Sequence, residues 1–417
     1  MINKLKNKFT SLGPIDIAIV VNAIGMNFMK FVPFGLIILV FASLYEFFIT
    51  KTASLHLKNR YFKKSFIILT IPFSLSILGL IFTSNFGKAF EDIGRLLPFI
   101  VFPILLLSVF GDRKEKLKKL VLLGFVIGLL IRFAIDFYES SQGYLYDYNI
   151  QIFFYSYLDA DTNILAIITM FGVLYLLDYL TTKTVFSVKQ NITFHGLILF
   201  LSLCVLLLQS RIVILFFFAA LGVLFLYNWN KKQKWSILLT AVFSGLLMLV
   251  PAFQGRFQVV AAESENIAKV SNESINDSIP IESLPCMSST QLRLNSLKTS
   301  WEIIKQNPVF GVGTGDWRDE MVKEYVASDM PCNAHEQTAP HNQYMRTLVK
   351  YGFVGLVIYV FYIFQLFKVY RKQLRYGQLP FLITLIFCGL GYDLLDVGSS
   401  APIFAFFSTW LFFEDDK

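Results

Sequence analysis

Few side chains in this sequence combine reactive chemistry with a telling position. Five arginines, Arg95, Arg132, Arg211, Arg256 and Arg293, fall at or near the ends of apolar runs or in the one long polar stretch. A guanidinium stays ionised and presents a planar fork of donors matched to phosphate oxygens, so several on one side of a membrane suit a pyrophosphate. The plainer alternative is that they snorkel to the surface. Arg211 poses that choice most sharply, because only Gln209-Ser210-Arg211 separates two apolar runs.

His341 is the second informative group. It lies between Pro340 and Asn342, with Gln343 and Tyr344 opening the next apolar run. Proline suits the first turn of a helix, so His341 is expected at a rigid N-terminal corner. The positive end of that helix disfavours imidazolium and leaves a neutral ring able to accept a proton at pH 7. A capping or packing histidine would occupy the same place, and His335 and Glu336 stand close by as alternative bases. Asn342 and Tyr344, beside His341, and Trp317 join Arg95 and Arg256 as candidate substrate contacts. Trp317 closes GVGTGDW (311–317), which reads as a tight turn. It lacks the Lys-Ser/Thr of a nucleotide-binding loop, and no strand pattern precedes it. Asp92, Asp159, Asp161, Asp393 and Asp396 sit where they could hold arginines, while Asp178 is expected to snorkel at the opposite end.

The elements that must position these groups belong to a membrane. The 417 residues are 55% hydrophobic and only 16% charged, with 44 phenylalanines and a mean hydropathy of +0.58. That is too apolar for a water-soluble globule. The net charge of +8 lies mostly in Lys/Arg clusters between apolar runs, so it orients the chain and does not point to nucleic acid. Runs long enough to span fall near 14–29, 32–49, 65–84, 96–110, 118–136, 162–180, 192–209, 212–228, 236–252, 344–367, 379–395 and 401–413. The expected fold is therefore an all-α polytopic membrane protein of about 12 transmembrane helices. No inverted pair of interrupted helices, of the kind transporters use, is legible.

Three regions follow: an N-terminal bundle of about nine helices (1–252), a large polar loop (253–343) and about three C-terminal helices (344–417). Basic residues around 51–64, 113–119, 231–234 and 368–375 place both termini in the cytoplasm and the loop outside. No cleavable leader is expected, because no small-residue cleavage site follows the first apolar stretch. Within the loop, 262–290 reads as mobile and 291–306 as an amphipathic helix with its bulky face on the membrane or the bundle. Cys286 and Cys332 could pair if the loop faces an oxidising compartment, while Cys204 and Cys388 read as packing residues. No metal-ligand spacing is present.

Three pieces of the chain resemble the bacterial O-antigen ligase family, which also includes O-antigen polymerases and protein O-oligosaccharyltransferases. They are Ser210-Arg211 between two spanning runs, Arg293 followed by the Trp301 helix and NPVFGVGTGDW (307–317), and APHNQYMRTLVKYGFVGL (339–356). The resemblance implies a lipid-linked glycosyltransferase of the bacterial inner membrane, with its active site facing the periplasm and no metal or cofactor. Its partners would be an undecaprenyl-pyrophosphate-linked glycan donor, a lipid A–core or other glycan acceptor, and membrane lipid. Carried over by position, Arg211 and Arg293 would bind the pyrophosphate and His341 would activate the acceptor hydroxyl, with inversion at the anomeric carbon. Ala339 stands where such enzymes often carry a first histidine, which concentrates the role on His341. A transporter or lipid flippase is the alternative from another class, but it would place its ionisable groups near the bilayer midplane.

Overall fold

A computed structural model describes residues 12–50, 60–106, 112–142, 146–147, 152–153, 162–182, 186–250, 289–398 and 400–412. The regular structure among these residues is helical apart from a two-residue antiparallel pairing of Tyr146–Asp147 with Ile152–Phe153. Among the described residues, five helices are long and apolar enough to cross a bilayer: Val32–Ile49, Leu117–Ser141, Thr162–Thr182, Val188–Leu207 and Gln343–Gln373. A sixth span is formed if Lys63–Leu69 and Ile71–Phe82, bent by 58°, count as one. Five further apolar helices of 10–17 residues, Pro14–Gly25, Arg211–Tyr227, Lys234–Leu247, Gln378–Cys388 and Ala401–Phe412, pack among them. Each of the twelve apolar runs thus contains a helix, and the chain is an integral membrane protein.

Thr162–Thr182 sits at the centre, with its whole spanning window buried. It has no charge except Asp178, which is buried and accepts the Gly377 N–H at 2.8 Å. Asp178 therefore does not snorkel. It caps the turn before Gln378–Cys388, where Gly377 adopts φ +87°. Arg132, expected at an outer end, is likewise buried, with its Nε at 3.1 and 3.0 Å from the two carboxylate oxygens of Asp136.

Besides the bent pair at 63–82, three apolar runs do not continue as straight spans. The described part of the run near 96–110 holds Pro98–Leu105, an eight-residue helix with Pro103 inside it. The run at 379–395 stops being helical at Cys388 and continues as a loop through Asp393 and Asp396. The third departure is the one that builds the site. Within Gln343–Gln373, Gly352 has φ 62° and ψ −162°, a conformation open essentially to glycine alone.

The carbonyls and N–H groups freed at that break are taken up by the glycine-rich segment. Val312 and Gly313 donate to the Val349 and Lys350 carbonyls at 2.9 Å each, and Phe353 and Val354 donate to Pro308 and Val309 at 2.8 and 3.2 Å. A β-carbon on Gly311 would meet the Val349 carbonyl oxygen at 2.5 Å, so the close approach requires glycine. The same segment then engages the other bent element. Thr314 donates to the Ser76 carbonyl at 2.7 Å, and Asp316 accepts the Ser84 and Asn85 N–H groups at 2.6 and 2.7 Å. Irregular backbone among membrane helices is tolerable only when protein re-satisfies it in this way. GVGTGDW is thus a brace between two interrupted helices, more than the isolated tight turn the sequence suggests.

The helix Ser289–Gln306 forms where an amphipathic helix is expected, and it turns part of its bulky face inward together with small polar residues. Ser296, Thr299, Ser300, Ile303 and Ile304 are buried, whereas Leu294 and Trp301 are exposed. Small residues allow a close fit on Gln343–Gln373 and Trp317–Ala327 and leave the bulky pair outside.

Candidate functional site

The site is assembled around the first two turns of Gln343–Gln373. Asn342 caps that helix, its side-chain oxygen accepting the Tyr344 and Met345 N–H groups at 3.0 Å each. Pro340 therefore lies two residues before the cap and not in the first turn. The corner is rigid for another reason: Asp393 accepts the Asn342 N–H at 2.9 Å, and the Asn342 amide donates to the Leu390 carbonyl at 2.9 Å. Gln343 sews the same loop down, donating to Asp396 at 2.7 Å and accepting the Leu395 N–H at 2.8 Å. His341, held between these anchors, takes φ +50°, a left-handed conformation that asparagine, aspartate and histidine tolerate better than most residues.

Beneath His341 runs a closed circuit of buried charge. Arg346 donates to Asp393 at 3.1 Å and lies 3.8 Å from Asp396, its guanidinium 4.1 Å from the centroid of the Trp317 ring. Trp317 Nε1–H donates to Asp92 at 2.8 Å. Lys350, fully buried, joins Asp92 at 3.2 Å to Asp396 at 2.7 Å. Withdrawing such ions from water costs several kcal/mol each, roughly, so none of these groups is stable here without the others. Burial by itself would raise the carboxyls of Asp92 and Asp396. The charges of Lys350 and Arg346 outweigh it, and both stay below the usual carboxylate range.

The circuit underlies a cavity of ≈ 550 Å³ lined by, among others, Arg95, Trp317, Arg318, Glu336, His341, Arg346, Tyr392, Asp393 and Asp396. Arg95 is held by Asp92 at 2.9 Å and by Glu91, and Arg318 lies 3.8 Å from Asp92. The His341 ring is 6.3 Å from that of Tyr392, and among the described residues no group hydrogen-bonds to its nitrogens. Its pKa is lowered, first by burial and further by Arg293 and Arg346, against an opposing pull from Asp393. A neutral imidazole was expected here from the helix dipole. Desolvation and the two guanidiniums act in the same direction.

Of the residues singled out from sequence, Arg95, Trp317 and His341 line this one cavity, and the charge of Arg293 reaches His341. Asn342 and Tyr344 stand behind them with their hydrogen bonds turned to the protein, Tyr344 donating to the Ile386 carbonyl at 3.1 Å. Arg211 opens the helix Arg211–Tyr227, next to Ile212, which touches Gly391 one residue before Tyr392. Its guanidinium is not among the groups lining the cavity. Arg256, Asp159, Asp161 and Cys286 lie outside the described residues, so the pairing of Cys286 with Cys332 does too. His335 is exposed on the short helix Pro331–Glu336.

Asp92 and Asp393 do hold arginines, Arg95 and Arg346 respectively. Arg318, Arg346 and Lys350 escape the sequence reading. Arg346 and Lys350 stand four apart in the opening of an apolar run, and intramembrane charge of that kind is itself a signal of function.

The fold and the site together define an integral membrane protein that seats a charged cavity on interrupted helices. Residues 196–360, which include Arg211, Arg293, the glycine-rich brace and His341, match the family model for O-antigen ligase. That family consists of glycosyltransferase-type enzymes of the O-antigen ligase and polymerase kind, and it implies lipid-linked glycan substrates. No curated protein gives a significant match to the chain.

Proposed function

We propose that the protein moves a glycan from undecaprenyl pyrophosphate to an acceptor hydroxyl on the periplasmic side of the inner membrane, by ligation to lipid A–core. The observation that carries this reading is the imidazole of His341. It is neutral, opens on the cavity, and is free of hydrogen-bond partners among the described residues, inside a match to the O-antigen ligase family.

In this reading His341 takes the proton of the acceptor hydroxyl as its oxygen attacks the anomeric carbon. A new glycosidic C–O bond forms, the C–O bond to phosphate breaks, and the electron pair leaves on the pyrophosphate, inverting the anomeric centre. Arg293 and Arg211 bind the leaving pyrophosphate, Arg256 assists from the loop that carries Arg293, and Arg95 and Trp317 contact substrate from the cavity they line. Asn342 and Tyr344 serve by fixing the corner on which His341 stands. One well-placed electrostatic donor is worth about 10²- to 10³-fold in rate.

We read the five shorter apolar helices and the run near 96–110 as crossings too, which with the six longer ones makes about twelve. The basic clusters then keep both termini in the cytoplasm. The bundle of 1–252, the loop of 253–343 and the helices of 344–417 are its three parts. Supplying purified protein with lipid-linked glycan and each acceptor in turn tests the reading. Transfer to lipid A–core that disappears in His341→Ala, Arg293→Ala and Arg211→Ala, with normal expression, supports it. Polymer made without lipid A–core would favour a polymerase, and transfer to a protein hydroxyl a protein glycosyltransferase. Full activity of His341→Ala removes it as the base.

A further inference from the structure

We propose that Arg95, Arg318 and Arg346 form a second anion subsite, separate from Arg211 and Arg293, that receives a phosphate or carboxylate carried by a saccharide substrate. This rests on the glycosyl-transfer reading above.

The three guanidiniums come from three elements, Phe86–Leu96, Trp317–Ala327 and the start of Gln343–Gln373, and line one cavity. One of them retains unused donors. Arg346 is only 3% exposed and is engaged by Asp393 at 3.1 Å, its Nε turned to Asp396 at 3.8 Å. Arg318 reaches Asp92 only at 3.8 Å, beyond hydrogen-bonding distance, and otherwise faces the Trp317 ring at 5.1 Å.

The neighbouring carboxylates are already engaged. Asp92 is taken by Arg95, Trp317 and Lys350, Asp396 by Lys350 and Gln343, and Asp393 by Arg346 and the Asn342 N–H. Glu336 lines the cavity from an exposed position and sets its acidic rim. Burial lowers the pKa of Arg318, and the nearby charges of Arg95 and Arg346 lower it further despite Asp92. Arg95 and Arg346 act on Arg318 as like charges, and its planar guanidinium fork favours phosphate or carboxylate oxygens. Two sources offer that chemistry: the pyrophosphate of the lipid donor, or an acidic group on the acceptor glycan.

Arg318→Gln is the first variant, because this side chain is the least tied into the buried circuit. Arg346→Lys, which keeps the charge and removes the fork, is the second. Full-length protein in nanodiscs would be titrated with undecaprenyl pyrophosphate, glucose 6-phosphate and glucuronic acid, with glucose as the neutral control. The subsite predicts that both variants bind at least one anion about tenfold more weakly, with glucose unaffected, since a charge-assisted hydrogen bond is worth about that much. Loss confined to undecaprenyl pyrophosphate assigns the donor, and loss confined to the sugar acids assigns the acceptor. Unchanged anion affinity in Arg318→Gln, no anion binding by the wild type, or an equal loss in Arg371→Gln at the far end of the same helix overturns the proposal. Arg318-dependent anion binding without any glycan transfer would leave the subsite standing and remove the glycosyltransferase reading. Transfer without that dependence would do the reverse.

Discussion

The two parts of Gln343–Gln373 on either side of Gly352 belong to one continuous element and live in different solvents. Before the glycine, Gln343, Arg346, Thr347, Leu348, Val349, Lys350 and Tyr351 are all buried. After it, Phe353, Val357, Val360, Phe361, Phe364 and Phe367 are exposed, at the three- and four-residue spacing of one helix face. The first part carries charge, packs against protein on its polar residues and presents the site. The second turns an aromatic stripe to lipid and anchors the first. The contrast shows how a membrane helix can hold buried cations: a break lets one segment leave the hydrocarbon-facing register while its continuation keeps it.

The largest blow to that division is struck at Lys350. Replacing it by methionine keeps the volume but strands the carboxylates of Asp92 and Asp396 without their shared ammonium. Breaking a buried pair from one side costs about 3–5 kcal/mol. Lys350→Met should therefore lower thermal stability sharply in a detergent melting assay, while Lys350→Met combined with Asp396→Asn recovers part of the loss. A single variant that melts like the wild type would mean the circuit contributes nothing to holding the first segment.

Gly352→Ala should cost somewhat less. The alanine would need a backbone conformation that costs of order 1–3 kcal/mol, and its β-carbon would sit 2.3 Å from the Val309 carbonyl oxygen. The brace at 308–313 would have to move, and with it Trp317. Melting temperature and anion binding should fall together, because the brace and the cavity are mechanically one. If stability drops while binding is unaffected, the break serves packing alone.

How much of this was legible follows from which side of the break a residue lies on. Hydropathy finds every apolar run, because a lipid-facing stripe and a core-facing one are equally apolar. It averages over many residues, so one glycine at position 352 leaves no trace, and two cations inside an apolar run are outvoted. That is why Arg346 and Lys350 passed as part of a span. Arg95, Trp317 and His341 were found because they stand at run ends or in polar sequence, where type and position are informative residue by residue. The joining of Asp92 to Lys350 was not legible, since 258 positions separate them and no local pattern encodes the contact.

A smaller effect is expected in the pH dependence of transfer. Burial and the charges of Arg293 and Arg346 depress the His341 pKa below its ordinary value of 6.5. The proton-accepting form is the deprotonated one, so lowering the pKa extends it to more acidic pH. The acid limb of kcat/KM should therefore fall below pH 6.5, and Arg293→Gln should move it upward by removing a repelling charge. An acid limb above 6.5 in the wild type would show that another group governs the proton transfer.

The smallest effect makes the cleanest comparison, because the same two methyl groups can be removed on each side of the break. Val349 is fully buried against the cluster that includes Trp317 and Tyr325, whereas Val357 is 67% exposed on the lipid-facing stripe. Val349→Ala deletes packed atoms and should cost about 1.6 kcal/mol at about 0.8 per buried carbon, plus whatever cavity remains. Val357→Ala exchanges contact with lipid tails for contact with other lipid tails. Hydrocarbon is as apolar as the side chain, so no hydrophobic term rewards or punishes the change. Its cost should stay within about 0.5 kcal/mol. Paired melting curves decide the matter: equal shifts would mean that the stripe after Gly352 is packed against protein in the membrane, and that the two segments share one solvent after all.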